Sequence, residues 1–345
     1  MNEPLITTII PTYKRPKLLK RAIMSALNQT FSDLQVYVYD NASDDETEEI
    51  VRECIEKDAR VKYHRHHQNI GLLRNYQYGL SEVKTDYFSF LSDDDVLFPW
   101  FYEEALHPLR QFPECAFSAG SAVIMSEEGK VIRVPLDLWK REGVFAPPGG
   151  LLEMISKYPV PSCILFHKKV IDEIPIDMSN ALTWDCDFLL QIAARYPFHI
   201  SKRPCGIFLH HHSSYSSSKG LENWNSSLKR MIERIDFNPH LDSEVKKTAI
   251  ELINVDLKNM NRSFILQSLF NRKFQEACDD ASLFRKNYGL NLKTLFFLNL
   301  TRLCRSFPFV LHPLSLVRKL KNFKRERLYR LNYKKYAKWL TFDNG

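Results

Sequence analysis

The sequence predicts an α/β fold with a mixed, mainly parallel β-sheet flanked by helices, followed by a C-terminal α-helical extension. Two observations lead to this prediction. Over the first 100 residues, β-branched apolar runs alternate with amphipathic segments, a pattern typical of parallel strands joined by helical crossovers. Beyond residue 220 the apolar residues recur with helical spacing, and no strand pattern stands out.

The strands and helices can be placed in order along the chain. Residues 5–10 form the β-branched, apolar run expected of a buried strand, and the helix after it places Leu19 and Ile23 on one face. Ser43 and Glu46 have the spacing of a capping box, which predicts the start of a second helix. Further strands are predicted at 34–39, 61–64, 87–91, 122–125 and 162–166, and further helices at about 73–83 and from residue 184.

Acidic residues follow two of these strands at the point where each strand ends. Asp40 follows the second strand, and Asp93, Asp94 and Asp95 follow the fourth. In open parallel sheets the ligand lies at the carboxyl ends of the strands, so these acids can line one crevice. Three adjacent carboxylates repel one another, and Mg²⁺ or Mn²⁺, which prefer oxygen ligands, would offset that repulsion. A metal-bridged diphosphate site is therefore favoured over the alternative, a solvated acidic turn.

The chain divides by composition into three segments. Residues 1–218 are predicted to form the α/β domain, residues 219–300 a helical appendage, and residues 301–345 a basic amphipathic tail. The tail contains 12 Lys/Arg and 2 Asp/Glu, whereas the rest of the chain contains 36 and 39. The chain is thus a mildly acidic body with a strongly basic end.

Within the tail, residues 314–340 alternate aromatic and aliphatic side chains with Lys and Arg. Basic amphipathic helices with aromatic residues bind anionic membrane surfaces, which is the leading interpretation. A helix packed on the body and a nucleic-acid patch are the alternatives, and nucleic acid is the least favoured of the three. The helical C-terminus could also mediate a homo-oligomer.

Cysteine usage and the N-terminus indicate the compartment. Seven scattered cysteines without a CxxC pair favour a reducing cytosol over a disulfide framework or a structural zinc site. The sequence has no apolar run of about 18 residues and no basic N-terminal region, so it predicts neither a transmembrane helix nor a secretory signal. We expect a cytoplasmic protein that can be peripheral on the inner face of the cytoplasmic membrane.

Five segments together resemble the motifs of one enzyme family. They are 9–15 (IIPTYKR), 25–30 (SALNQT), 40–45 (DNASDD), 69–75 (NIGLLRN) and 93–95 (DDD) followed by Pro99. In this order they resemble family 2 glycosyltransferases, which have the Rossmann-like GT-A fold. Each match alone is weak, but five in one order are specific. The resemblance implies a nucleotide-binding half at 1–100 and an acceptor half at 101–218.

The resemblance also implies roles for individual residues. The donor nucleotide would contact the first turn, the acids and two arginines: Pro11, Thr12, Tyr13, Arg15, Asp40, Arg74, Asp93 and Asp94. Asp40 would read the imide edge of a uracil-like base. Asp95 is our first choice as ligand of Mn²⁺ or Mg²⁺, with Asp93 and His211 as further ligands. The register within 92–95 stays open by one residue, because Ser92 occupies a position where the family often has Asp.

A catalytic base is implied by the segment 183–189 (TWDCDFL), which resembles the family's EDxDL motif. Asp185 would be the base, and Asp187 a neighbour that holds the loop or the acceptor. Trp184 stands where the family has Glu. The alternative is that both acids are favoured only by their position in the first turn of a helix.

Adjacent histidines form two further groups. His211 with Ser214 and Ser216 resembles the family's late HxxSxS segment, which closes over the diphosphate, and His212 is the alternative. Neighbours on an extended chain point to opposite faces, so at most two of the three histidines at 210–212 can converge. We expect the histidines near the third strand, His64, His66 and His67, to be surface residues.

Together these features predict a metal-dependent, inverting glycosyltransferase. It would move a sugar from a nucleotide diphosphate, with UDP as first choice, to a cell-surface polysaccharide or a lipid-linked glycan. A sugar-nucleotide nucleotidyltransferase is disfavoured, because the first turn is Pro-Thr-Tyr and lacks glycine. An inactive binding scaffold that uses its basic tail is the non-enzymatic alternative.

Overall fold

The computed structural model of the protein describes residues 4–177, 179–180, 182–211 and 219–340, with residues 312–325 described by their backbone alone. The strands are β1 (Ile6–Thr12), β2 (Leu34–Asp40), β3 (Val61–Arg65), β4 (Tyr87–Phe90), β5 (Val96–Leu97), β6 (Phe117–Ser126), β7 (Val131–Arg133), β8 (Gly143–Phe145), β9 (Ile164–His167) and β10 (Phe198–His210). The helices are α1 (Pro16–Leu27), α2 (Thr47–Lys57), α3 (Leu72–Ser81), α4 (Phe101–Gln111), α5 (Gly149–Met154), α6 (Lys169–Glu173), α7 (Trp184–Ala193), α8 (Leu221–Asp236), α9 (Ser243–Phe270), α10 (Phe274–Tyr288), α11 (Leu292–Ser306) and α12 (Leu311–Leu340).

The strands form one mixed sheet in the order β3-β2-β1-β4-β9-β6-β10-β5, with β7 paired to β6 and β8 to β10. The first four strands are parallel, β9 is antiparallel to both β4 and β6, and β10 is parallel to β6. Because two antiparallel steps restore the strand direction, β10 runs the same way as β1. The carboxyl ends of β1, β2, β4 and β10 therefore meet at one edge of the sheet. The predicted mainly parallel sheet is confirmed.

Strand β1 is longer than the sequence pattern indicates, because it continues through Pro11 to Thr12. Pairing between β1 and β4 ends at Ile9, so Pro11 lies where β1 has lost its neighbour on that side. A proline without an N–H is tolerated in such an edge position, and Pro11 stays in register with Tyr39 of β2. The extension brings the Thr12 side chain to the end of the sheet.

The two faces of the sheet bury separate apolar clusters. Helices α1, α2 and α4 cover one face. The other face is covered by α3, α5 and α7 and also by α8 and the first half of α9, through residues such as Met231 and Ile253. A further cluster joins the end of α9 to α10 and α11. The start of the segment predicted as an appendage at 219–300 therefore shares the core of the α/β domain.

Gly206 lies where β10 passes closest to β5. A Cβ at this position would lie 2.6 Å from the Val96 carbonyl oxygen and 2.9 Å from the Cys163 Sγ atom. Because a backbone carbonyl cannot move without disturbing the strand, Gly206→Ala should lower the free energy of unfolding by about 1–3 kcal/mol. Gly149→Ala is the control, since a Cβ at residue 149 would have no neighbour within 4 Å, and it should change that energy by less than about 0.5 kcal/mol. Urea titration measures both, and equal midpoints would contradict the steric explanation.

The last helix, α12, returns to the α/β domain. Tyr336 is buried against Val123, Val131 and Val134, and its hydroxyl donates 2.7 Å hydrogen bonds to the Asp137 carboxylate. The Trp339 ring lies 5.2 Å from that of Trp100 (centroid to centroid). The end of the predicted basic tail thus packs on the body of the protein. Over the part of the chain that the structure describes, none of the helices combines the length and the apolar character needed to cross a bilayer.

Candidate active site

A cleft opens at the edge where β1, β4 and β10 end. Its volume is about 620 Å³, and its walls come from the first turn after β1, the start of α3, the turn after β4, the start of α7 and one residue of α8. Its lining includes most of the sequence-predicted donor residues together with the predicted base: Pro11, Thr12, Tyr13, Arg15, Asp93, Asp94 and Asp185. The predicted Asp40, Arg74, Asp95 and His211 are not among the described residues that line it.

Arg15 holds the two acids that face the cleft. Its Nη1 atom donates to Asp93 Oδ1 at 3.1 Å and to Asp94 Oδ2 at 2.8 Å. Thr12 Oγ1 donates to Asp93 Oδ2 at 2.8 Å, and Arg21 fixes the turn by donating to the Asp94 carbonyl oxygen. Burial raises the pKa of Asp93 to about 6, with a further contribution from the Asp94 charge, although Arg15 and Thr12 act in the opposite direction. One guanidinium therefore leaves this pair of carboxylates incompletely neutralised.

Asp95, the expected first metal ligand, lies behind the cleft. Its side chain is fully buried, and its carboxylate accepts hydrogen bonds from Ser162 Oγ at 2.5 Å and from the Leu209 amide at 3.0 Å. Burial raises the pKa of Asp95 well above the ordinary value, and the Asp94 charge raises it further. Asp95 thus connects the turn after β4 to the strand that leads to His211.

His211 lies beside the acids at the end of β10. Its Nε2 atom is 2.7 Å from Asp94 Oδ2, and its side chain is buried. Among the described histidines of the 210–212 group, His211 is the one that contacts an acid. It lies next to the cleft and is not exposed to solvent. The serines at 214 and 216 and the alternative His212 lie outside the described residues.

Asp40 has no exposed surface in the structure. Its carboxylate accepts hydrogen bonds from the Ser43 amide at 2.9 Å and from the Tyr63 hydroxyl at 2.7 Å. Arg65 Nε lies 3.7 Å from the same carboxylate. Asp40 therefore shapes the loop after β2, and its role as reader of a base stays a prediction, as does a role for the exposed Arg74.

The adjacent Asn41 starts a network of amides to which the sequence pattern assigns no role. Asn41 donates to Asn69 Oδ1 at 2.9 Å and accepts from the Ile70 amide at 2.8 Å, which ties the loop before α3 to β2. Asn75 donates to the Tyr39 carbonyl oxygen, and its own Oδ1 lies 3.0 Å from His66 Nε2. His66 is therefore buried, and its expected surface position is wrong, because Asn75 and the ring of Tyr78 enclose it.

Asp185 faces the cleft from the first turn of α7. Burial raises the pKa of Asp185 above the ordinary value of 3.8, while backbone amides act in the opposite direction. Trp184, in the position of the family's Glu, packs its ring 4.8 Å from Tyr76 and 5.4 Å from Phe90. Burial at the start of α7 thus explains why the proton affinity of Asp185 is raised, a property that a general base would need.

Asp187, two residues further along α7, is held by the helical appendage. Arg234 of α8 donates to Asp187 Oδ2 at 2.6 Å, and Gln191 donates to Oδ1 at 3.3 Å. Asn238 beyond α8 donates in turn to Gln191 Oε1 at 2.7 Å. Burial raises the pKa of Asp187 to about 6, although the Arg234 charge lowers it. Helix α8 therefore anchors the element that contains Asp185.

Removing this anchor should destabilise the protein in a pH-dependent way. Arg234 is 26% exposed and Asp187 is fully buried, so Arg234→Met should cost up to about 3 kcal/mol at pH 8. The loss of unfolding free energy should shrink toward pH 4.5, because the raised pKa of Asp187 means that its carboxyl group is protonated at this pH. A neutral carboxyl group no longer needs the Arg234 charge. Denaturant titrations at both pH values measure the effect, with the exposed Arg230→Met as control. A loss that is equal at both pH values would contradict the ion-pair explanation.

Sequence reasoning missed several residues of the cleft. Asn41, Asn69 and Asn75 belong to the family-like motifs, but the pattern gave them no function. Trp224 of α8 and Phe208 of β10 lie far from the motifs in sequence and reach the cleft only through the fold. Apolar spacing could predict that α8 has a buried face, but it could not indicate which residue enters the site.

The acids fit a divalent cation by their chemistry. The described residues contain no group of three His, Cys, Asp or Glu side chains already gathered as a metal site. Asp93 and Asp94 nevertheless offer carboxylate oxygens at the cleft, and the Arg15 cation offsets only part of their charge. Oxygen ligands of this kind suit Mn²⁺ or Mg²⁺, which commonly complete their coordination with water and substrate phosphates.

The fold and the cleft define an α/β protein with an acidic cleft at the carboxyl edge of its sheet. Residues 7–174, just under half of the chain, match the family model described as glycosyl transferase family 2. A glucosyltransferase of Campylobacter jejuni, named GalNAc(5)-diNAcBac-PP-undecaprenol beta-1,3-glucosyltransferase, is 38% identical over 96 residues. That match covers 27% of this chain and 31% of the relative, so the chain spans about a third of this curated relative's length.

Solved structures resemble the chain over a larger part of its length. Residues 1–349 of S. aureus TarS, in complex with UDP-GlcNAc, superpose with a TM-score of 0.63 at 15% identity, over 81% of this chain and 80% of that fragment. The mannosyltransferase PcManGT from Pyrobaculum calidifontis, in complex with GDP-Man and Mn²⁺, gives 0.55 at 14% identity over 99% and 88%. These similarities confirm the predicted GT-A-type fold.

Proposed function

We propose that the protein transfers a sugar from a nucleotide diphosphate to a hydroxyl group of a glycan. The observation that carries the proposal is the convergence of the Asp93–Asp94 pair and Asp185 on one cleft. Asp93 and Asp94 could hold the donor diphosphate through a divalent cation, and Asp185 can accept a proton from the acceptor. A binding scaffold would not need a carboxylate of raised proton affinity opposite the donor acids.

The chain's own residues provide the parts of a single displacement. Pro11, Thr12 and Tyr13 form the wall for the nucleoside, and Arg15 lies where it can bind phosphate oxygens. Asp185 takes the proton from the attacking hydroxyl as that oxygen bonds to the anomeric carbon and the nucleoside diphosphate leaves. Attack from the face opposite the leaving group inverts the configuration.

We propose Asp93 and Asp94 as the residues that hold Mn²⁺ or Mg²⁺, with His211 supporting Asp94 through its 2.7 Å contact. A bound divalent cation would stabilise the negative charge that develops on the leaving diphosphate. Asp95 supports the turn from behind instead of facing the cleft. This assignment shifts the first-choice ligand by one residue within the acidic turn.

UDP-sugars are the donors we favour, and a polysaccharide or a lipid-linked glycan the acceptor. TarS is described with UDP-GlcNAc and PcManGT with GDP-Man, so related folds bind sugar nucleotides of two bases. The Campylobacter relative's name specifies an undecaprenol-linked acceptor. A lipid-linked glycan would place the enzyme at the inner face of the cytoplasmic membrane.

Release of nucleoside diphosphate tests the proposal. UDP-, TDP- and GDP-sugars are supplied in turn with Mn²⁺, Mg²⁺ or EDTA, with and without an undecaprenyl-diphosphate-linked oligosaccharide. We expect release with one donor class, stimulated by the acceptor and abolished by EDTA. Nucleotide binding without release would favour the inactive scaffold. Formation of a sugar nucleotide from a nucleoside triphosphate and a sugar phosphate would favour the nucleotidyltransferase.

The rate of transfer should fall in acid at a higher pH than an ordinary aspartate would give. Asp185 acts as a base only when ionised, and burial raises the pKa of Asp185 above 3.8. The rate therefore declines as the pH falls through that raised value and the carboxylate binds a proton. The pH dependence of kcat at saturating donor, with the melting temperature followed in parallel, measures this limb. A rate that stays constant down to pH 4 would contradict the assignment.

A further inference from the structure

A cavity on the helical appendage is lined by cations. It lies between the end of α10 and α11, has a volume of about 440 Å³, and includes Ser282, Arg285, Lys286, Leu290, Leu298 and Arg302 in its lining. No carboxylate belongs to this lining, and within the described residues none of the three cations has an ion-pair partner. Clustered unpaired cations repel one another, so an anion with several oxygens, such as a phosphate group, would stabilise the cluster.

Large apolar side chains are exposed beside this cavity. Leu292 is 88% exposed, Phe296 59% and Phe309 74%. On α11, Phe296 follows Leu292 by four residues and Leu303 follows Phe296 by seven, so the three side chains share one face of the helix. The opposite face is buried in the bundle through Phe297, Thr301 and Cys304. Helix α11 thus has a second apolar face that the described part of the chain leaves uncovered.

The charge around this face points to the partner. Residues 285–309, which include the end of α10 and all of α11, contain five Lys/Arg and no Asp or Glu. A symmetric interface between two copies of the chain would bring these cations against each other, which costs free energy. An anionic bilayer supplies both an apolar interior for the exposed side chains and phosphate groups for the cations.

We propose that the end of the appendage formed by α10, α11 and residues 307–309 docks on an anionic lipid bilayer. Leu292, Phe296 and Phe309 enter the interface, and the Arg285–Lys286–Arg302 cavity binds a lipid phosphate. The C-terminal part of α12 takes no part in this contact, because Tyr336 and Trp339 pack on the α/β domain. The docking surface thus differs from the segment 314–340 for which the sequence pattern predicts membrane binding.

Vesicle co-sedimentation of the full chain tests the surface, without donor or acceptor, so that the result is independent of transfer activity. Vesicles of phosphatidylcholine are compared with vesicles that also contain phosphatidylglycerol. The charge variant is Arg285→Gln/Lys286→Gln/Arg302→Gln, and the apolar variant is Phe296→Ser/Phe309→Ser. The matched control, Lys57→Gln/Lys62→Gln/Lys84→Gln, removes three exposed charges from the α/β domain.

We expect the wild type and the control to bind only the anionic vesicles. The charge variant should lose roughly 100-fold in partitioning, and the apolar variant should also dissociate. Equal loss in the control would overturn the proposal, because it would indicate a response to net charge alone. Unchanged partitioning of the apolar variant would also overturn the proposal. So would a dimeric wild type that becomes monomeric in the apolar variant, because the apolar face would then be an interface between two copies of the chain. Should the triple variant melt early, Arg302→Gln alone replaces it.

Discussion

Replacing Asp185 by Asn should abolish sugar transfer and leave nucleotide binding intact. Asn has the shape of Asp and can still accept a hydrogen bond, but it cannot take a proton from the acceptor. General-base catalysis contributes about 10²–10⁴-fold, so kcat should fall by about that factor. The side chain lines the cleft without contacting the Asp93–Asp94 pair in the described structure, so affinity for UDP with Mn²⁺ should stay the same.

Turnover at saturating donor and isothermal titration of UDP measure the two halves of this prediction. Asp236→Asn serves as the control, because this acid lies at the exposed end of α8 and its replacement removes the same charge. Full activity in Asp185→Asn would show that another group is the base. A parallel loss of transfer and UDP binding would instead indicate that Asp185 helps to form the donor site.

Replacing Asp94 by Asn should remove the metal-dependent part of donor binding. The Asp94 carboxylate contacts both Arg15 and His211, so it links the phosphate side of the cleft to the end of β10. An amide keeps the shape but is a weaker ligand for a hard cation. We expect the affinity for Mn²⁺ with UDP to fall by at least about 100-fold, since changes outside the coordination sphere alone already cost about 10–100-fold.

Titration of UDP with and without Mn²⁺ tests this prediction. Asp236→Asn is again the matched control, because Asp236 lies at the exposed end of α8 and does not belong to the lining of the cleft. The control should bind donor and metal like the wild type. If Mn²⁺ still strengthens UDP binding in Asp94→Asn but no longer does so in Asp95→Asn, the metal ligand is the buried Asp95 and the prediction is wrong.

The order of strands and helices in the first 100 residues could be predicted from the sequence, because each strand is a β-branched run and each helix has a regular apolar face. The capping box at Ser43 and Glu46 is wrong. Helix α2 begins at Thr47, Asp45 accepts the Thr47 amide hydrogen bond, and the Ser43 hydroxyl accepts the Lys14 amide instead. A long-range contact between two loops thus replaces the local cap that the spacing indicates.

The sequence predicted those residues of the candidate site that are acidic and stand directly after a strand or at the start of a helix. Asp93 and Asp94 follow a strand and face the cleft, and Asp185 begins a helix at the same edge. Spacing could not tell which of Asp94 and Asp95 faces the cleft, because the directions of adjacent side chains in a turn depend on the partners that the fold provides. Asp94 contacts Arg15 at the cleft, and Asp95 contacts Ser162 behind it. The support from Arg234 was likewise hidden, since it comes from a helix 47 residues further along the chain than Asp187.

The cleft is proposed to be a metal-assisted sugar-nucleotide site, and one thermal-shift panel tests this central claim most directly. UDP, TDP, GDP and CDP are each added to the wild type with and without Mn²⁺. A ligand that binds only the native state raises its melting temperature, so we expect a Mn²⁺-dependent rise with one uracil- or thymine-type nucleotide. Melting temperatures that are the same with every nucleotide, in the presence and absence of Mn²⁺, would contradict the claim.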